Sequence, residues 1–425
     1  MKLLVVSYGG CGTTDLIFKL KSLGIVTNHE GDKDGLKHRP NPSFYTDIDR
    51  VIYIFDCPWL ATKSHFNRGW YHDQVRKTTD GRVNVKPEYT WEQFLKDKKD
   101  WGEFTEHFKN WTKTEVPTLF IKLSEAHNYN DVVSYFVGLS TPVNFFQKKE
   151  RNSKVLESER SDIFNELEKI QDEYSPYRVS IPYQATFPSG GMYMKTSDCI
   201  LDPRITLEVS KFLDEDTQNV FVNGDIFENL MELFHKKKDN WTLIYHNTDR
   251  SFTTHQLRAL PSTCKKVLAV NNSTPGAESI PLGLKWNMTE KELNHLNKFR
   301  NLEKNINCYV NFNIPKFEPK FINYIKAREK CIDYFSKQKW AFIETGVSQE
   351  IFYEHLAKSK YCACPVGFGV DTRRFWECVY LDTVPIVLQS ELDNFYKQWC
   401  PKVIIVRDWC EVYKYIKNNI DLKQV

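Results

Sequence analysis

Residues 359–388 concentrate side chains that can hold and stabilise an anion. Gly367 and Gly369 stand in a short loop, followed by Asp371 and Thr372, the pair Arg373-Arg374, and Glu377. Glycines let a backbone come close to a ligand, and the free N–H groups of a helix start attract negative charge. Arginine adds forked hydrogen bonds to phosphate oxygens. Glu377 lies three residues beyond Arg374, on roughly the same helix face, where a carboxylate can hold ribose hydroxyls. Together they suit a nucleotide-diphosphate leaving group. Any one of them alone would serve an ordinary α/β crossover equally well, with the arginines as surface ion-pair partners.

The elements that must position them are legible in the flanking pattern. Residues 361–364 are an apolar run ended by Pro365, 375–381 have helical length and spacing, and 384–388 read as a buried strand. Upstream, NINCYVNFNI (305–314) reads as a strand with Asn311 and Asn313 at its C-terminal end, where open α/β sheets bind ligands. Residues 219–234 read strand, turn, helix, with Asp225 in the turn. Residues 240–252 read as a strand ending in His246-Asn247-Thr248-Asp249. Residues 265–286 read as a strand reaching Asn271, then a loop and Ile280-Pro281-Leu282-Gly283-Leu284.

At these residues the chain resembles a family. CPVGFGVDTRRFWECVYLDTVPIV is similar to the donor-binding segment of exostosin-type and related GT-B glycosyltransferases, matching at Pro365, Gly367, Gly369, Asp371, Arg374, Phe375, Trp376, Glu377, Pro385 and Val387. It departs at Asp382, where that family often has glycine. HNTD, VLAVNN and IPLGL resemble three ordered blocks of the family's first half, so the likeness spans roughly residues 195–410. It implies two Rossmann-like halves, the second holding a UDP- or GDP-sugar and the first a glycan acceptor. It further implies an inverting displacement in which Arg373 and Arg374 stabilise the departing diphosphate and Glu377 holds the ribose. Asp249 is the nominated base, with His246 and Asp225 as alternatives. Asp249 and Asn247 would equally serve to hydrogen-bond turn backbone. No Asp-x-Asp stands in a plausible metal-binding loop, Asp47-Ile48-Asp49 falling in the N-terminal domain, so no divalent metal is expected and no cofactor is obligatory.

The N-terminus carries a second strand–glycine–helix pattern. After an apolar strand at 2–7 come Gly9, Gly10, Gly12, Thr13 and Thr14, then Leu16, Ile17, Leu20 and Leu23 at helical spacing. Such a turn forms a phosphate nest, though no Gly-Lys-Ser/Thr follows it. SYGGCGTTDLIFKL resembles the 5′-phosphosulfate loop of sulfotransferases, and RVIYIFDCPWLATKSHFNR their 3′-phosphate block, matching at Pro58 and Ser64. Gly10 replaces that family's lysine, and Asp56 its 3′-phosphate arginine. An anion at Asp56 repels the 3′-phosphate of 3′-phosphoadenylyl sulfate. The readings left open are an inactive or acceptor-handling P-loop-like domain, a divergent sulfotransferase with His29, His38 or His65 as base, and a structural α/β domain. In residues 70–115 the recurrent aromatics read as core, with sugar stacking as the alternative.

The predicted architecture is therefore α/β: a sulfotransferase-like parallel-sheet domain at 1–146, a helical connection at 147–194, and a GT-B fold with an acceptor half at 195–300 and a donor half at 301–425. A net charge of +3 lacks the basic excess that nucleic-acid binding needs, and no apolar segment reaches the ~20 residues of a membrane span. Eleven scattered cysteines without zinc-type spacing read as reduced thiols in a cytoplasmic protein, with Cys362 and Cys364 on one strand face. Two other functions stay in view: a bifunctional glycosyl- and sulfotransferase, and a non-catalytic carbohydrate-binding protein. Donor, acceptor and oligomeric state are not encoded in recognisable motifs.

Overall fold

The computed structural model describes residues 1–42, 47–148, 154–314 and 322–418. The chain divides into two units, one of residues 1–182 and 203–210, the other of residues 183–202 and 211–425.

In the first unit β1 (Leu3–Val6), β2 (Arg50–Phe55) and β3 (Thr118–Lys122) are parallel, and β4 (Tyr177–Ser180) joins β3 antiparallel, giving the order β1-β2-β3-β4. All four residues of β1 and five of six in β2 are buried, so both sheet faces are covered, as parallel sheets require. Helices Trp91–Asp97 and Phe104–Trp111 place Trp91, Phe94, Phe104, Phe108 and Trp111 in this core. The aromatics of residues 70–115 that the helices carry inward are packing residues, not a sugar platform.

Part of the expected connection belongs to this core. Helix Asn165–Asp172 buries Leu167, Phe164 packs just before it, and β4 completes the sheet edge. A further short strand, β6 (Thr206–Leu207), follows β5 (Cys199–Asp202) in sequence and lies in the segment assigned to the first unit.

The second unit holds two sheets of Rossmann-like α/β character. The first runs β10-β9-β8-β7-β5, all parallel, from β5 through β7 (Asn219–Asn223), β8 (Trp241–His246), β9 (Cys264–Ala269) and β10 (Glu278–Ser279). The second runs β12-β11-β13-β14-β15, also parallel, from β11 (Ile306–Val310), β12 (Ala341–Ile343), β13 (Ser359–Ala363), β14 (Val384–Leu388) and β15 (Ile404–Val406). In this second sheet the chain order reverses between β11 and β13, the switch point where such sheets open a crevice.

The Pro, Gly and Ser content of SIPYQATFPSGGMYM reads as an irregular link, but the stretch contains helix Gly190–Lys195, whose Ser189 side chain accepts the Met192 N–H at 3.1 Å. Its paired glycines are there for close approach. A Cβ on Gly190 would stand 1.9 Å from Asn247 Oδ1, and one on Gly191 2.5 Å from the Trp286 carbonyl. Among the described residues no helix is long and apolar enough to cross a membrane.

Candidate functional site

A cavity of about 480 Å³ opens at the C-terminal ends of β11 and β13. From the segment just after β11 come Asn311, Phe312 and Asn313. From the loop and helix after β13 come Pro365, Phe368, Thr372, Arg373, Arg374 and Glu377, and helix Ile322–Phe335 adds Tyr324 and Arg328. Helix Arg373–Tyr380 starts at this wall with Thr372 as N-cap in extended conformation and no side-chain cap. Its first N–H groups therefore keep their affinity for an acceptor supplied by a ligand.

Arg374 is the most constrained cation. Its Nε lies 3.1 Å from Glu377 Oε2, its Nη1 donates to the Asn311 carbonyl, and its guanidinium sits 4.1 Å above the Phe352 ring. Arg374 and Glu377 keep 19% and 15% of their side-chain surface, so both reach the cavity while remaining fixed. Arg373 is exposed beside them. Gly367 donates to the Gly369 carbonyl at 3.1 Å, closing the tight turn that lets the loop fold back.

Asp371 does more than shape the loop. It accepts the Leu282 N–H at 2.8 Å and Trp376 Nε1 at 2.8 Å, while its own N–H donates to Asn271 Oδ1 at 2.8 Å. Burial pushes its carboxyl up to about 7, against those hydrogen bonds. Gly369 is close-packed at the same seam, since a Cβ there would stand 2.8 Å from the Asp249 carbonyl and 2.9 Å from the Asn271 amide. The loop after β13 is thus hydrogen-bonded to the loops after β9 and β10 and packed against the one after β8.

The first-half candidates separate by accessibility. His246 is fully buried; Nδ1 accepts the Asn247 N–H at 2.7 Å and Nε2 lies 2.9 Å from the Pro281 carbonyl. Neither nitrogen is left for an acceptor hydroxyl, so His246 is a packing residue and not the base. Asn247, at φ 58°, is buried and donates to Asp202 Oδ2 at 2.9 Å. Asp225 is exposed, accepts Thr248 Oγ1 at 2.6 Å and lies 3.8 Å from Arg250. Asp249 is exposed, and its charge is felt by the cavity residue Tyr324.

Sequence reasoning missed Arg328, Tyr324, Phe312 and Phe368. Arg328 donates to the Val366 carbonyl at 3.2 Å and the Asn313 carbonyl at 2.7 Å, and lies over Tyr324 at 4.4 Å and Phe312 at 5.1 Å. Phe368 is exposed by 51% and pairs with Tyr324 at 4.9 Å between centroids. An arginine in mid-helix, far upstream of the loop it serves, carries no local signal. Phe368, inside the glycine loop itself, is the one that spacing could have flagged.

In the first unit the glycine loop is engaged by its own surroundings. Gly9, Gly10 and Gly12 all have positive φ, Gly9 N donates to Ser7 Oγ at 3.0 Å, and Gln74 Nε2 donates to the Tyr8 carbonyl at 2.9 Å. Thr13 is buried, and Thr14 Oγ1 accepts Lys37 Nζ at 3.1 Å. A Cβ on Gly9 would stand 2.7 Å from His65 Nε2. Ser64 is half-buried on helix Pro58–Asn67, and its carbonyl accepts Arg68 Nε. His38 is buried with Nδ1 2.9 Å from the Ser7 carbonyl, whereas His29 is half-buried and accepts the Gly31 N–H. Buried Asp56 accepts the Cys57 N–H at 2.8 Å.

Compared with known proteins, the chain matches no family model, and a search of curated proteins likewise finds no match.

Proposed function

We propose that the second unit transfers a glycosyl group from a nucleotide-diphosphate sugar, UDP- or GDP-linked, to a glycan hydroxyl, with its two halves in an exostosin-like GT-B arrangement. The observation that carries this reading is the cavity at the β11/β13 switch point, where Arg328, Arg373 and Arg374 stand with Glu377 beside an uncapped helix start. Three guanidinium groups match a diphosphate in charge and in hydrogen-bond geometry. On this reading Glu377 holds the ribose hydroxyls, and the exposed Phe368 ring with the half-buried Tyr324 ring beside it stacks on a base.

The chemistry is a single displacement. The acceptor oxygen bonds to the anomeric carbon as the bond from that carbon to the diphosphate oxygen breaks, and the electron pair leaves with the diphosphate. Asp249 takes the acceptor proton, Asp225 being the second choice. The arginines and helix N–H groups stabilise the charge developing on the leaving group. Arginine fills the electrostatic role that a divalent ion takes elsewhere, so the step is read as metal-independent and inverting.

The first unit is read as an accessory sulfotransferase-like domain. The internal hydrogen bonds of its glycine loop and the acidic Asp56 support that over sulfuryl transfer. One experiment addresses both units. The full chain is incubated with a panel of UDP- and GDP-sugars, and with adenosine 3′,5′-bisphosphate, while thermal midpoint and released nucleotide are followed, the latter by mass spectrometry. Stabilisation and turnover by one nucleotide sugar alone are expected. Stabilisation by the bisphosphate as well would make the enzyme bifunctional, and indifference to every nucleotide would leave a carbohydrate-binding protein.

A further inference from the structure

Beneath the cavity lies a cluster of thiols that glycosyl transfer does not use. Cys362 on β13, Cys364 immediately after it, and Cys378 on helix Arg373–Tyr380 gather their sulfurs so that all three lie within 4.8 Å of one another, with Cys364 and Cys378 at 3.7 Å. All three are buried, with exposures of 0%, 3% and 0%, and none lines the cavity. Two come from alternate residues of one strand, which share a face. The third reaches them from the helix packed on that strand.

Three sulfurs around one ion at ~2.3 Å would stand roughly 4.0 Å apart in a trigonal array and about 3.8 Å apart in a tetrahedral one. The Cys364–Cys378 separation of 3.7 Å fits those figures, and the other two, within 4.8 Å, need at most a small side-chain adjustment. Thiolate donors select thiophilic ions. Three thiolates and a divalent cation leave one negative charge, and the Arg374 guanidinium, which also pairs with Glu377, is near enough to interact with all three sulfurs. Buried ions need such a partner.

We propose that Cys362, Cys364 and Cys378 form a structural site for one thiophilic metal ion, Zn²⁺ being the test case. On binding, the thiols release their protons to water, three sulfur lone pairs enter the coordination shell, and no redox change occurs. The ion clips the end of β13 to the helix. It thereby fixes both ends of the loop that carries Gly367, Gly369 and Asp371, without touching a ligand in the cavity. The site stands or falls independently of the transferase reading.

The test uses the full chain, reduced and freed of metal, with exposed Cys410 replaced by serine to remove a surface thiol. Titration with Cd²⁺, a spectroscopic stand-in for Zn²⁺, should produce the ultraviolet sulfur-to-cadmium charge-transfer band, saturating at one equivalent and reversed by Zn²⁺. Cys378→Ser and Cys364→Ser should each weaken Cd²⁺ binding at least roughly a hundredfold, since loss of a mere outer partner of a ligand costs 10–100-fold. Cys199→Ser, a buried thiol in β5, should leave it unchanged. Circular dichroism checks that each variant folds. Absence of the band in the unsubstituted cluster overturns the proposal whatever the variants do, and so does a band of undiminished strength in both folded cluster variants.

Discussion

The molecule contains two strand–glycine loop–helix turns whose surroundings differ among the described residues. After β1, Gly9, Gly10 and Gly12 take left-handed φ values, and neighbouring side chains fill the turn: Ser7 on the Gly9 amide, Gln74 on the Tyr8 carbonyl, Lys37 on Thr14. After β13, Gly367 and Gly369 keep ordinary φ, and the helix start faces a cavity of about 480 Å³ with three arginines in its wall. The pattern of glycines fixes the backbone path, while function depends on whether the surrounding side chains leave donors and space for a ligand.

The largest effect is expected from Arg374. Replacing it by alanine removes a charge-assisted contact to the leaving group and leaves half-buried Glu377 without its partner. A fall in kcat/KM of about 10²–10³ is expected, the scale seen on removing one preorganised donor to transition-state charge. Steady-state transfer assays measure it, and turnover like that of the unsubstituted protein would put the loop after β13 on the same footing as the one after β1.

Next in size is opposite pH behaviour in the two units. In the first, burial drives His38 and His107 down to about 3, well under the ordinary 6.5. The unfolded chain then binds more protons over that window, so the stability they contribute is full above pH 6.5 and is lost as pH falls toward 3. Asp371 in the second unit is raised to about 7 from 3.8. Its contribution is full below 3.8 and declines as pH rises to about 7. Urea midpoints between about pH 4 and 7 should therefore rise with pH for the first unit. Asp371→Asn should remove a downward component from the second, by a few kcal/mol at most (~1.4 kcal/mol for each tenfold change in proton affinity). Hydrogen exchange resolves the units separately, and an identical slope in Asp371→Asn would contradict this assignment.

Glycine substitutions separate the two turns further. Gly10→Ala forces a left-handed residue to carry a Cβ, costing about 1–2 kcal/mol. Gly369→Ala overpacks against the Asp249 carbonyl and the Asn271 amide, costing about 1–3 kcal/mol. Thermal midpoints should fall similarly in both, yet only Gly369→Ala should weaken nucleotide-sugar affinity in calorimetry. The smallest effect belongs to Arg328→Gln, expected to raise donor Kd about tenfold, the worth of one charge-assisted contact at ~1.4 kcal/mol, with little change in kcat.

Much of the second sheet was legible in sequence, because buried parallel strands are short apolar runs bounded by punctuation: β14 has the predicted bounds, whereas β11 stops at Val310, short of the expected 314, and leaves Asn311 and Asn313 just beyond it. The paired glycines at 190–191 were misleading, since a turn and a tightly packed helix use the same residue for different reasons. β4 escaped because Tyr177–Ser180 is a four-residue edge strand whose partner, β3, lies far upstream in the chain. In the site, charged residues inside the loop announced themselves. Arg328 did not, because its relevance depends on which helix packs beside the loop, and His246 sat in a suggestive tetrad whose chemistry burial takes away.

Asp371 is hydrogen-bonded to both Asn271 and Leu282, so the arginine loop cannot move without its neighbours. A ligand that shifts that loop must strain the bridge, and whatever shifts the loops after β9 and β10 must strain or relieve it too. Affinity at one end is then multiplied by occupancy at the other, and by the same factor in both directions. Donor and acceptor would load as a thermodynamically linked pair.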